Sequence, residues 1–160
     1  MITLQIIISG LAATLAMTFF MNACAMISGS NMYTVKILRR MLPDLLWPGQ
    51  AKKPALSKAV AIIVHYGIGI VFVVVYHLLQ TSESYAGNQS IAEPWIAGII
   101  LGTIAVTGWS IFIRLHPSPL STVPWKYYLL CIFAAHIIFA LVMVYCYHWL
   151  ISAPGLGKMD

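Results

Sequence analysis

The stretch His65-Tyr-Gly-Ile-Gly-Ile-Val-Phe-Val-Val-Val-Tyr-His77-Leu-Leu79 decides the fold, and it occurs twice. Its echo, His136-Ile-Ile-Phe-Ala-Leu-Val-Met-Val-Tyr-Cys-Tyr-His148-Trp-Leu150, keeps His, Val, Val, Tyr, His and Leu in an ungapped alignment. Each copy is apolar except for a histidine at either end. That pattern reads as two membrane-crossing helices of a duplicated unit, and it raises the question of what four histidines do in lipid.

Composition agrees. Of 160 residues, 61% are hydrophobic and 8% charged, and mean hydropathy is +0.88. A soluble fold of this length cannot bury so much apolar surface, so lipid must be the solvent for most of it. The net charge of +5 sits in loops between apolar runs, which fits a bilayer with anionic headgroups better than nucleic acid. Cys24, Cys131 and Cys146 lie inside apolar runs without C-x-x-C spacing. They read as packing residues, neither a disulfide framework nor a zinc knuckle. Met17, Met21 and Cys24 form a sulfur stripe that reads as flexible core filling.

Working outward, four transmembrane helices are predicted at about 4–28, 58–80, 94–115 and 125–151. The first lacks the basic start of a signal peptide. Its Ala12 and Ala16, and Gly98-x-x-x-Gly102 in the third span, permit close helix approach. Thr14, Thr18 and Asn22 share one helix face. In the loop at 32–47, Val35, Leu38, Met41, Leu42, Leu45 and Leu46 recur at helical spacing, with Lys36, Arg39 and Arg40 elsewhere on the wheel. This predicts a short amphipathic interfacial helix, which Pro43 should kink or end. The expected fold class is an all-α integral membrane protein, a four-helix transmembrane bundle in one domain.

Further matches support two tandem repeats, 1–80 and 91–151. Ala13-Thr-Leu-Ala-Met-Thr18 resembles Gly102-Thr-Ile-Ala-Val-Thr107, and Arg40-Met-Leu-Pro43 resembles Arg114-Leu-His-Pro117. Two spans per repeat give the halves one orientation, related by an axis along the membrane normal. Eight of the nine Lys and Arg fall around loops 29–57 and 116–124. The positive-inside rule makes those loops cytoplasmic and leaves both termini outside. A bacterial inner membrane is the expected location.

The histidines then form pairs at two depths, His65 with His136 and, about 18 Å away, His77 with His148. Paired histidines on parallel helices resemble the di-haem cytochrome b pattern, in which two neutral imidazoles hold each iron. On that resemblance, haem b would sit at His65 and His136, or at His77 and His148. Spacing departs from it, since twelve residues turn a straight helix by about 120° more than whole turns. His77 and His148 lie among Tyr76, Tyr147 and Trp149 and read as interfacial anchors. His65 and His136 lie deeper, where polar groups often mark function; Asn22 or the repeated threonines are candidate partners. Spans two and four are diagonal in a four-helix ring. The small residues of spans one and three are expected to close the other diagonal.

All four acids are placed outside the spans, so an ion-coupled pump is disfavoured. No catalytic set is recognisable, and His116 is read as a loop residue. His65-x-x-Ile-Gly, His136-x-x-Phe-Ala and the threonine-bearing, small-residue first span resemble small uncharacterised four-span bacterial inner-membrane proteins. That resemblance implies the fold and no activity. The expected function is a non-enzymatic accessory or scaffold subunit, with other membrane subunits or further copies of the chain as partners. The alternatives are a b-type haem electron carrier and a small channel for apolar solutes or lipid.

Overall fold

The computed structural model describes residues 2–46, 54–82, 92–116 and 123–152, without the side chains at 42–46 and 54–55. Five helices account for them: α1 (Ile2–Ile27), α2 (Thr34–Leu46), α3 (Pro54–Gln80), α4 (Glu93–Leu115) and α5 (Trp125–Ser152). Four of these, all but α2, are long and apolar enough to cross a membrane. The turn at 47–49, the connection 83–91, the proline-rich turn at 117–122 and the tail at 153–160 lie outside the described residues.

In space the spans follow the order α3, α1, α5, α4, each packed on the next. The α1–α5 seam is the core. Ser9, Gly10, Ala13, Thr14, Met17, Met21 and Cys24 recur every three or four residues along α1 and are buried. Tyr128, Cys131, Ile132, Ala135, Phe139 and Met143 do the same on α5. Both helices are apolar all round, so hydrophobicity does not pick the buried face. Residue size does, because small side chains let backbones approach and gain dispersion contacts that lipid cannot match. At one end, Gln5 Nε2 donates 3.0 Å to the Leu150 carbonyl.

Glycines set the two outer seams. A Cβ on Gly10 would stand 2.9 Å from Ile70 Cα, and one on Gly69 would collide with the Thr14 hydroxyl, so α1 and α3 touch here. A Cβ on Gly98 would stand 2.8 Å from Ile137 Cα, and one on Gly102 2.8 Å from the Phe133 ring. Gly98-x-x-x-Gly102 therefore seats α4 on α5. Ala12 and Ala16 are half-buried, one step off the tightest face of α1.

Two expectations about packing change. The diagonal that touches is α3 with α5, through Phe72, Tyr76 and His77; α1 and α4 do not pack. The reason is that small residues are spent on neighbouring helices, which leaves the large aromatic side chains to meet across the ring. Second, α3 and α4 do not pack along their length. A twofold arrangement of α1–α3 and α4–α5 would require that seam to match α1–α5.

The loop between the first two spans accounts for part of this asymmetry. After α1, Gly29 adopts φ 61°, and Ser30 N–H closes back on the Ala25 carbonyl at 3.1 Å. This left-handed cap suits glycine, and it turns the chain into α2. The buried face of α2 is Thr34, Ile37 and Met41, with Ile37 where the periodicity had favoured Val35. Pro43 does not end the helix, which runs on to Leu46. Only a few residues follow it, so the missing N–H costs one bond near the last turn.

His116 is structural. Its ring is buried, packs on Phe112, and shares a hydrogen bond at Nε2 with the Met41 carbonyl at 3.1 Å. It thus ties α2 to the end of α4. Removing the ring in His116→Ala should destabilise this junction by about 1–2 kcal/mol. The expected readout is faster hydrogen exchange confined to α2 and the last turn of α4.

Candidate functional site

The missing α3–α4 seam leaves a cavity of about 400 Å³ inside the bundle. Every helix contributes to its wall: Met17 and Met21 from α1, Leu38 from α2, Phe72 from α3, Trp109 from α4, Phe139 from α5. Ile68 on α3 and Gly108 on α4 line it and are also exposed, so they form the rim of the opening toward lipid. Among the described residues, His65, His136, Thr34 and the indole of Trp109 are the side chains in the wall that carry a polar atom. An apolar volume with a few convergent polar groups is the usual form of a small-molecule site.

The inner histidines meet here, at the cavity, and their tautomers follow from their partners. His136 Nδ1 lies 2.8 Å from the Ile132 carbonyl. A carbonyl only accepts, so Nδ1 carries the proton and Nε2 of the neutral ring is an open lone pair. His65 Nε2 lies 3.0 Å from Thr18 Oγ1, whose hydroxyl donates 2.7 Å to the Thr14 carbonyl. One hydroxyl has one proton, so His65 Nε2–H donates to Thr18 and Nδ1 is left as the acceptor. Thr107, the residue corresponding to Thr18, is exposed on α4 and bonds the Thr103 carbonyl instead. His136 therefore lacks the threonine partner that His65 has.

For haem, the geometry is uneven. A ring whose Nδ1–H is fixed by a backbone carbonyl, with Nε2 free, is how axial histidines are held, and His136 satisfies it. His65 has Nε2 occupied by Thr18. Among the described residues no cluster of three or more His, Cys, Asp or Glu side chains could hold a metal ion.

The outer histidines belong to a different arrangement. His77 Nδ1 meets the Tyr147 hydroxyl at 2.5 Å, and His148 Nε2 meets the Tyr76 hydroxyl at 3.0 Å. Each histidine takes the tyrosine that precedes the other, across the α3–α5 diagonal. The repeat of Tyr-His at the end of both echoed stretches is thus an exchange of hydrogen bonds, with Tyr76 and Tyr147 edge to face at 5.3 Å. His148 thus has Nε2 engaged by Tyr76, as His65 has by Thr18, whereas His77 is engaged through Nδ1. Twelve residues of helical turn also put His65 toward α1 and His77 toward α5, on different faces of α3.

Glu93 is the residue that sequence reasoning missed. It opens α4, is only 6% exposed, and accepts the Tyr76 hydroxyl at 2.6 Å as well as the Gln80 amide. Gln80 also donates to Tyr76 at 2.7 Å. The sequence reading places this acid outside the spans, but Tyr76 and Gln80 lie one helical turn apart and reach it together. This knot joins α3 to α4 at the terminal end of the bundle, opposite α2.

Comparison with protein families, with curated proteins and with solved structures finds no match.

Proposed function

We propose that this protein binds a lipid-soluble small molecule within the bilayer, in the cavity reached between α3 and α4. The carrying observation is the unpacked α3–α4 seam over an apolar cavity of about 400 Å³. Lipid has direct access to such an opening, and a ligand already dissolved in the bilayer needs no aqueous path. This develops the channel reading of the sequence. An accessory subunit drew its support from small residues available for packing. Gly10, Gly69, Gly98 and Gly102 are all used inside the chain, which favours the cavity. With the orientation that the basic loops favour, the site lies toward the cytoplasmic leaflet.

The test is to bind a lipophilic fluorescent probe to the protein in nanodiscs, corrected for empty discs. Saturable binding is expected. Gly108→Trp places an indole at the rim, at a position where a Cβ meets nothing within 4 Å. Its affinity should fall at least about tenfold, or 1.4 kcal/mol. Unchanged binding would remove the cavity as the site. Comigration with larger partners, together with no saturable binding, would restore the subunit reading.

The free Nε2 of His136 supports b-type haem as a second reading, with the cavity holding the porphyrin. Protein made with haem supplied would then show a Soret band that His136→Ala abolishes. A colourless preparation rejects it.

A further inference from the structure

We infer that the ligand of this cavity is an apolar molecule carrying a hydrogen-bond donor, a lipophilic alcohol or phenol, whose hydroxyl is received by His136 Nε2. This rests on the cavity being a ligand site and specifies what it selects. His136 is 9% exposed and lines the cavity. Its Nδ1–H is committed to the Ile132 carbonyl, so the edge that remains can only accept. Thr34 also lines the cavity, but its Oγ1 is fully buried beside the Tyr128 hydroxyl, which leaves His136 as the polar group that presents an acceptor.

The other polar atom of the wall also argues for a donor. His65, with Nε2–H held by Thr18, offers Nδ1 as an acceptor. Neither histidine can therefore donate to a ligand carbonyl or ether oxygen as held here, and among the described lining residues the donor left is the indole N–H of Trp109. Desolvating an acceptor lone pair against a ligand without a donor leaves it unpaired, which is the costly outcome. A hydroxyl on the ligand avoids that cost, and the methyl, aryl and indole surfaces of Met17, Phe72, Trp109 and Phe139 hold the remainder. Selectivity thus arises from what the site refuses: a ligand of equal shape with its hydroxyl blocked.

The experiment compares a para-octyl phenol with its methyl ether, on the full chain in nanodiscs, with partition into empty discs subtracted. The phenol is expected to bind at least about tenfold more tightly. His136→Leu, which keeps an apolar wall, should erase that difference, with the ether gaining affinity because no acceptor is then left unpaired. In wild-type protein with isotope-labelled histidine, the unprotonated imidazole nitrogen of His136 should shift on adding phenol and stay put with ether. This readout holds even if His136→Leu does not fold. Equal affinity for phenol and ether would overturn the donor inference and leave the cavity as an unselective apolar site. Failure of both compounds to bind saturably would overturn the inference together with the binding function. An unmoved His136 nitrogen on saturation with phenol would also overturn it.

Discussion

Gly98→Leu is expected to lower stability by about 3 kcal/mol, at the upper end for overpacking a tight contact. A Cβ at this position would come within 2.8 Å of Ile137 Cα, which is backbone and cannot rotate away. Relief requires α4 to move off α5, which is its main support, because α4 has no packed seam with α1 or α3. The helix would also forfeit the neighbouring approach of Gly102 to Phe133. Gly108→Leu is the control. It lies ten residues further along α4 with open space around its Cβ, and its effect should stay within about 0.5 kcal/mol. Unfolding in mixed detergent micelles, followed by circular dichroism, measures both. Equal effects would mean that α4 does not depend on the glycine contact.

Tyr76→Phe should be nearly as damaging, about 3 kcal/mol, by a different mechanism. The Tyr76 hydroxyl donates to Glu93 at 2.6 Å and receives Gln80 at 2.7 Å and His148 at 3.0 Å. Deleting one oxygen takes a partner from a buried carboxyl and from a half-buried amide and imidazole. Glu93→Gln keeps an acceptor for the hydroxyl and should cost about 1 kcal/mol. The double change Tyr76→Phe with Glu93→Leu should cost less than the sum of its parts, because no acid is left unpaired. Strict additivity in the same unfolding measurement would show that the three groups do not act as one network. Loosening this knot is also expected to widen the α3–α4 opening, since Glu93 is where those two helices meet.

The histidines show how far a sequence can be read. His65 and His77 share one helix, and their spacing already places them on different faces, because the helical period is a property of the backbone. What each face meets is a different matter. Thr18 reaches His65, yet the corresponding Thr107 points away from His136, since α4 is seated by Gly98 and Gly102 in a rotation that carries Thr103 and Thr107 outward. No local pattern distinguishes those two threonines. Glu93 was hidden for a related reason. Its neighbours in sequence look like the edge of a loop, and only the convergence of Tyr76 and Gln80 makes it buried. His116 likewise carries no signal beyond a proline-rich surrounding until α2 is placed beneath it.

Four apolar helices and a short amphipathic one are legible in the residues alone, because a run of some twenty apolar residues has only one solvent and one way to satisfy its backbone there. The tight glycine contacts are legible too, as small residues at helical spacing. Which seam stays open, which diagonal closes, and that His136, with Nδ1 at the Ile132 carbonyl, lines an apolar cavity are settled only by the packing of the helices. Helices that are apolar on every side have no preferred face in lipid. Their rotations are settled by the fit of particular side chains against particular neighbours, and that fit exists only once all of the helices are in place.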